Sequence, residues 1–582
     1  MVTMAEIKAQ LTGPGGMFEV VTDDVLGNPR QVYKERMRSL RDIPQTALAR
    51  GDERDFIVYG DRHYGFATFV HTANGVAHAL AETYGIGPGD RVAVLSQNNP
   101  EWCLAFWATV SLDAILVGLN GWWKADEIIY GLVDSGSSVL VADRKRFERI
   151  ADRLDEAPDL AHVFLADANP EDFPVLADHP RVRLHRFDEL TGRPTAEFPT
   201  VPIDEDDDAV IFYTSGTTGK PKGAISTHRS MVANLQNTLY ITVAGTMRAT
   251  AEGDDTGISL AGAGETVSLL TSPLFHVSGC HSGLVVGLLA GVKLVIPAGR
   301  FEPTEALRLI EENRITVWAT VPTMVWRVCE HPARHDYDTS TVTSVAFGGS
   351  PSADELQRMV RDTFPNVKST SNAYGLTETS SVATIITGPD ARRKPWSVGP
   401  PVATVELRIE GPGGKDAAPG EPGEVCIRGP VLMKGYWGKP EATADAIDTD
   451  GWLHTGDIGT LDDEGFLTIT DRLKDMIIRG GENIYCVEIE NRLVENTRIA
   501  DAAVIGVPHP ELGEEVKAVI QVEPGHKMTA DDVRAWVRES LAEFKVPVYV
   551  DIQDEPLPRN ASGKLLKNVL RGEGEVSFAE TM

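Results

Sequence analysis

Tyr213–Ala224 reads Tyr-Thr-Ser-Gly-Thr-Thr-Gly-Lys-Pro-Lys-Gly-Ala, directly after the apolar run Ala209-Val210-Ile211-Phe212-Tyr213. A short apolar run bounded by turn residues is the pattern of a buried strand. A strand that opens into a Gly/Ser/Thr loop makes a phosphate cradle. Glycine lets backbone N–H groups approach an anion, hydroxyls donate to its oxygens and lysine supplies charge. The loop is not a Walker P-loop. That motif needs Gly-Lys followed by Ser or Thr at a helix start, and here Gly219-Lys220 is followed by Pro221, which has no N–H to offer.

Outward from the loop, short apolar runs alternate with helical patterns. Arg91–Leu95 reads as a strand, Asn99–Leu112 as a helix, and Ser138–Ala142 and Lys293–Ile296 as strands. Thr304–Arg314 is an amphipathic helix followed by strand Thr316–Thr320. This interleaving predicts α/β layers with largely parallel sheets. From about Val402 the pattern becomes β-rich: Val405–Ile409 and Glu424–Arg428 lie among Gly/Pro turns. After Asp471 comes a compact α+β tail with strands Ala502–Val507 and Glu515–Val522 and helix Ala530–Leu541. Residues 571–582 read as a frayed terminus. Gly245–Gly264, rich in Gly, Ala, Thr and acids, is expected to be a long surface loop.

A chain of 582 residues exceeds one ordinary core, so two or more domains are expected. The formal charge of −30 argues against a nucleic-acid partner, which calls for a positive surface. Anionic ligands must meet local cations, and Lys220, Lys222, Arg472, Lys474, Arg479 and Lys564 are the candidates. The five scattered cysteines suggest neither a disulfide framework nor a zinc site and fit a reducing cytoplasm. The N-terminus has no apolar signal core. The longest apolar stretch, Gly283–Ala298, contains Lys293 and is too short to span a bilayer; it reads as a buried helix and a strand.

Tyr213–Ala224 closely resembles the signature loop of the adenylate-forming superfamily: acyl-CoA synthetases, nonribosomal adenylation domains and luciferases. Asn372–Thr379, Gly451–Gly459, Asp471–Tyr485 and Leu557–Lys567 resemble the family's later motifs, in the family's order. The resemblance extends from about Tyr64 to Lys567. It implies a large N-terminal AMP-binding domain, residues 1–470, of layered α/β subdomains plus a small β-rich subdomain. A mobile α+β C-terminal domain, residues 471–582, would follow. It also implies ATP, Mg2+ and CoA.

A carboxylate is a poor electrophile, because its charge is delocalised and oxide leaves badly. Attack on the ATP α-phosphate converts it to an acyl-adenylate that can expel AMP. Such catalysis is mainly positioning and charge stabilisation. By resemblance, Lys220 and Lys222 with Thr214, Ser215, Gly216, Thr217, Thr218 and Gly219 grip the β- and γ-phosphates. Glu378, helped by Thr214, binds magnesium, which prefers few carboxylates plus phosphate oxygens. Thr377 donates to the α-phosphate, and Tyr374 lies along adenine beside Gly375. Gly349-Ser350-Pro351 forms the adenine-side turn. Asp457 and Arg472 meet the ribose. Lys564 reaches between the carboxylate and the α-phosphate. His276 stands at the mouth of the acyl pocket. Lys474 marks a hinge whose rotation exchanges Lys564 for Arg479-Gly480-Gly481, where glycines line a pantetheine tunnel and Arg479 meets a CoA phosphate. Phe275, Trp318, Thr323, Phe347 and Val382 are acyl-pocket candidates. Cys486 stands where the family commonly has proline.

The expectation is an acyl-CoA synthetase for a medium- to long-chain fatty or related bulky acid, acting in the cytoplasm. It would have no transmembrane segment, at most peripheral membrane contact, and a homodimer as the family-level assembly. The alternatives are an acyl-AMP ligase loading a carrier protein, a luciferase-like oxidase and a non-catalytic nucleotide or acyl sensor.

Overall fold

The computed structural model describes residues 4–51, 53–214, 220–253, 265–348, 354–479, 482–559 and 565–572. Two large sheets organise the first part of the chain. One has seven strands in the spatial order Lys222–Thr227, Asp208–Thr214, Ile115–Gly118, Arg91–Leu95, Val139–Ala142, His162–Leu165 and Arg183–Arg186. Only the edge pair of strands 208–214 and 222–227 is antiparallel. The other has eight strands, with a parallel centre and an antiparallel pair at each end.

Both sheets are buried on two faces, as parallel sheets require. Alternate residues of strand Arg91–Leu95 show how. Val92 and Val94 face a core shared with helices Phe66–Tyr84 and Pro100–Ser111 and with Phe56, Ile57 and Leu294 of the second sheet. Ala93 and Leu95 face an outer core with Ile128, Leu132 and Phe147. Helix Pro100–Ser111 begins where its sequence signals place it. Asn99 caps it by accepting from Trp102 N at 2.8 Å, with Pro100 in the first turn.

The β-rich subdomain is an antiparallel sheet in the order Lys415–Asp416, Glu406–Gly411, Gly423–Arg428, Leu453–Leu461, Leu467–Arg472. The last unit is a second small sheet. Its long hairpin, Ile499–His509 with Gly513–Val522, is flanked by Ile477–Arg479 and by Tyr549–Gln553. Helices Cys486–Val494 and Ala530–Arg538 close its core through Ile489, Leu493, Val533 and Val537.

One expectation fails in part. Residues 245–252 are not loop but the end of a 25-residue helix, His228–Glu252. Thr242, Thr246 and Thr250 turn their hydroxyls onto the carbonyls four residues back, at 2.9 Å each. Ala244 and Ala249 are buried, and Arg248 pairs with Asp390. Tertiary burial overrides the weak helix propensity of Gly and Thr. Gly253 ends the helix in the left-handed region, φ 66°; residues 254–264 lie outside the described residues.

Candidate active site

The phosphate-loop strand ends at Thr214, which pairs with Lys222 across the hairpin; its hydroxyl donates to Lys222 O at 3.4 Å. Ser215, Gly216, Thr217, Thr218 and Gly219 lie outside the described residues. Each loop lysine rests over a tyrosine ring. Lys220 Nζ is 4.9 Å from the Tyr130 centroid, and Lys222 Nζ is 5.0 Å from that of Tyr436. Each ring's hydroxyl in turn donates to an acid. Tyr130 donates to Asp134 Oδ1 at 3.1 Å, and Tyr436 to Glu378 Oε1 at 2.8 Å.

Glu378 sits on the one-turn helix Thr377–Thr379 between strands Ser369–Leu376 and Ser381–Ile386. Its carbonyl accepts from Met433 N at 2.8 Å. The chain leaves this turn through two non-glycine residues with positive φ, Ser380 at 49° and Ser381 at 111°. Such strain persists only where the surroundings over-determine it. Here Ser380 Oγ bonds Ser226 and Ser230 hydroxyls at 3.2 and 2.9 Å, and Ser381 Oγ meets Ser282 Oγ at 2.6 Å. Gly375 makes the tight approach feasible: a Cβ there would lie 1.6 Å from Ser381 O.

Asp457 and Arg472 face each other on adjacent strands, with Arg472 Nε 2.9 Å from Asp457 Oδ1. Tyr374 donates to the other oxygen, Oδ2, at 2.7 Å, so the adenine-side and ribose-side candidates form one unit. Asp457 is buried. Burial, reinforced by the Asp457 charge, holds the Tyr374 phenol far above its ordinary range. A carboxylate has about four acceptor positions, so Asp457 retains capacity for a diol. Strand Ser344–Gly348 ends beside Ala373; Gly349, Ser350 and Pro351 lie outside the described residues.

His276 packs on Phe275, ring centroids 4.8 Å apart, and its inaccessible Nε2 has no partner among the described residues. Burial lowers its imidazole to about 4, so it is neutral at physiological pH. The segment carrying it is tied to the strained turn: His281 Nδ1 lies 3.1 Å from Ser380 O.

Lys474, the hinge candidate, is exposed. Arg479 is engaged by the buried Glu515, Nε to Oε1 2.6 Å. Gly480, Gly481 and Lys564 lie outside the described residues. The described residues on either side of Lys564 are held in place. Arg559 pairs with Asp501 at 2.7 Å and bridges to Leu565, and Lys567 pairs with Glu490 at 2.8 Å.

The five acyl-pocket candidates do not surround one cavity. Phe275 and Thr323 line an open groove of about 150 Å³ with Trp122, Arg146, Arg300 and Arg327. Trp318 is core, its Nε1 donating to Thr271 Oγ1 at 3.0 Å, and Phe347 packs in that same core. Val382 lies in a different cluster, beside Tyr374 and Ile241. Tyr130, Asp134 and Tyr436 were not singled out from sequence. Their relation to the loop is purely tertiary.

Glu410, Cys426 and His454 bring potential metal-ligand atoms within 4.8 Å of one another. Arg408 already neutralises Glu410 at 2.8 Å, and Glu424 takes His454 Nδ1 at 3.0 Å. Their charges are paired internally.

Comparison with known proteins shows the family. The AMP-binding enzyme family model matches residues 44–437, and the AMP-binding enzyme C-terminal domain model matches residues 488–564. A feruloyl-CoA synthase of Amycolatopsis sp is 35% identical over 514 residues, covering 88% of this chain and 94% of that protein. A 3-[(3aS,4S,7aS)-7a-methyl-1,5-dioxo-octahydro-1H-inden-4-yl]propanoyl:CoA ligase of Mycobacterium tuberculosis is 37% identical over 529 residues, covering 89% and 95%. Among solved structures, ATP-bound MatB from Rhodopseudomonas palustris superposes with a TM-score of 0.78 at 27% identity, covering 92% of this chain and 99% of that one. The chain belongs to the AMP-binding enzyme family, in its adenylate-forming acyl-CoA synthetase branch, and is an AMP-forming acid–thiol ligase. That membership implies ATP and CoA as substrates. No helix among the described residues is long and apolar enough to cross a membrane.

Proposed function

We propose that this enzyme activates a medium- to long-chain fatty or comparably bulky apolar carboxylic acid as its acyl-adenylate and passes the acyl group to CoA. The observation that carries the adenylating part of this reading is that three devices from three different sheets are linked side chain to side chain. These are the two loop lysines on their tyrosines, the Glu378 turn, and the Tyr374–Asp457–Arg472 unit.

The division of labour follows from charge. Lys220 and Lys222 face the β- and γ-phosphates and stabilise the departing pyrophosphate. Asp457 accepts from the ribose hydroxyls, with Tyr374 and Arg472 fixing its two oxygens. Glu378 fits a magnesium site: Tyr436 pins one oxygen, leaving the other for a hard cation that keeps water and phosphate ligands. Bound there, the ion would neutralise phosphate charge. Thr377 and Lys564 serve the α-phosphate, Lys564 between it and the attacking carboxylate. His276, neutral and desolvated, orients the incoming carboxylate or thiol without competing for its proton.

The second half-reaction needs a thiol at the same carbonyl. The groove that starts at Phe275, next to His276, carries Arg146, Arg300 and Arg327 on its walls. A pantetheine arm along its apolar floor with a nucleotide phosphate at Arg327 fits that chemistry, whereas Arg146 is buried and already paired with Asp143 at 2.7 Å. The acid's identity is tested by a pyrophosphate-exchange panel of fatty, aromatic and polycyclic acids, with mass spectrometry after CoA is added. Thioester from a bulky apolar acid is the expected product. Exchange only with short or amino acids would overturn the substrate class, and acyl-AMP left untouched by CoA would favour loading of a carrier protein.

A further inference from the structure

Asp134 lies on helix Ala125–Ser135, outside every motif that carries the function, yet donors from its own helix and from two other elements meet on its carboxylate. Oδ1 accepts from Tyr130 OH at 3.1 Å and from Lys439 Nζ at 2.9 Å. Oδ2 accepts from Tyr213 OH at 2.9 Å, and the Asp134 carbonyl accepts from Trp437 Nε1 at 3.1 Å. Tyr213 is the residue before Thr214, where the phosphate-loop strand ends. Tyr130 shares its hydroxyl proton with Pro221 O, 3.1 Å away, and presents its ring beneath Lys220. Trp437 N donates to Gly223 O at 2.7 Å, so the Tyr436–Lys439 segment is attached to the loop's exit strand. One carboxylate therefore holds the strand entering the loop, the ring under its first lysine and the segment bracing its exit. A side chain needed only for packing would not gather a cation and two phenols on a carboxylate that is 13% exposed.

We propose that Asp134 is a positioning residue for the phosphate loop, acting through Tyr130, Tyr213 and Lys439 to aim Lys220 at the β- and γ-phosphates of ATP. This rests on the acid-activating reading, and it makes a distinction that reading does not. Nucleotides with β- and γ-phosphates should depend on Asp134, whereas AMP, which lacks them, should not.

The test is calorimetric binding of MgATP and of AMP to the full-length wild type, Asp134→Asn and Tyr130→Phe. Asn keeps the volume but loses the charge. A hydrogen bond to a charged group is worth enough that Asp134→Asn is expected to weaken MgATP by about tenfold while leaving AMP within about twofold. Tyr130→Phe, which keeps the ring and deletes only the hydroxyl, should move MgATP the same way by a smaller factor. Equal weakening of both nucleotides would show a merely structural role. Unchanged MgATP affinity would likewise overturn the proposal. Wild-type pyrophosphate exchange is measured alongside; its absence with every acid would defeat the acid-activating reading and leave the ATP-to-AMP comparison standing on its own.

Discussion

The hydroxyl of Tyr436 donates to Glu378 Oε1 over 2.8 Å, and the same ring carries Lys222 Nζ 5.0 Å from its centroid. One side chain thus spaces a loop cation from the carboxylate proposed to bind magnesium. Without it the two opposite charges would be drawn together, and neither would face phosphate. Burial and the Glu378 charge push the Tyr436 phenol far up, so it remains a donor at any working pH.

Tyr436→Phe should therefore slow adenylation by about 10- to 100-fold, the range for losing a hydrogen bond to a charged group. The magnesium concentration giving half-maximal exchange should rise. Thioester formation from supplied acyl-AMP should be spared. A magnesium titration of pyrophosphate exchange reads the first two effects; an unchanged midpoint would remove Tyr436 from the metal site.

Lys564→Ala divides the two half-reactions. Loss of a preorganised charge at the α-phosphate typically costs about 10²–10³ in rate, so acyl-AMP formation should fall by that much. Supplied acyl-AMP should still become thioester. Equal loss in both steps would rule out the proposed role.

The parts of the candidate site that the sequence suggests are those whose chemistry is local. The Gly/Thr/Lys loop, Glu378 after Tyr-Gly, and Asp457 in His-Thr-Gly-Asp each declare themselves within a few residues. Asp134 and Lys439 are 305 positions apart, and nothing in either segment announces the other. The acyl-pocket candidates failed to converge for a related reason. Trp318 is as large and apolar as any pocket residue, yet lies behind its strand in the core. The α/β layering was readable because buried parallel strands are short apolar runs. The last two turns of helix 228–252 read as loop in the sequence, because they are held by buried Ala249 and the Arg248–Asp390 pair rather than by propensity.

Two glycines should respond to alanine with opposite signs. At Gly375 the new Cβ would meet Ser381 O at 1.6 Å between paired strands, and Gly375→Ala should destabilise by about 3 kcal/mol or prevent folding. At Gly245, inside helix His228–Glu252, the nearest atom is Thr387 Oγ1 at 3.9 Å, and Gly245→Ala should stabilise by about 0.5–1 kcal/mol. Denaturant melts of both variants check this. A neutral or destabilising Gly245→Ala would mean that the helix end contributes nothing.

His281 makes a pH prediction with a definite sign. Burial lowers its imidazole from the usual 6.5 to about 4. Between those values the unfolded chain takes up a proton that the folded one does not, so His281 erodes stability as pH falls from 6.5 toward 4. Above 6.5 it contributes no pH dependence. His281→Asn cannot titrate. The stability difference between wild type and variant should therefore shift against the wild type by about 1.4 kcal/mol per pH unit within that window, other groups cancelling. Urea melts at half-unit steps from pH 4.5 to 8 measure it; a difference flat across the window would mean the ring is charged when folded.

Cys486 stands where proline was the family expectation, and its surroundings give the departure a physical consequence. It is the first residue of helix Cys486–Val494 and fully buried. Proline would suit the first turn of a helix, but the Cys486 N–H donates to Asp471 Oδ2, and its thiol donates to Asp475 O at 3.0 Å. Burial pushes the Asp471 carboxyl up to about 6, opposed by the Lys567 charge and by the N–H groups of Arg472 and Cys486. Cys486→Pro removes one of those donors next to Arg472, the partner of Asp457. At pH 8, with Asp471 ionised, the loss should cost about 1–3 kcal/mol. At pH 5, with Asp471 protonated in the fold, it should cost less. Cys486→Ala, which keeps the N–H and deletes the sulfur, should show no such pH dependence. Chemical denaturation of the three proteins at both pH values separates the outcomes. A Cys486→Pro penalty equal at the two would assign the effect to thiol packing rather than to the Asp471 charge.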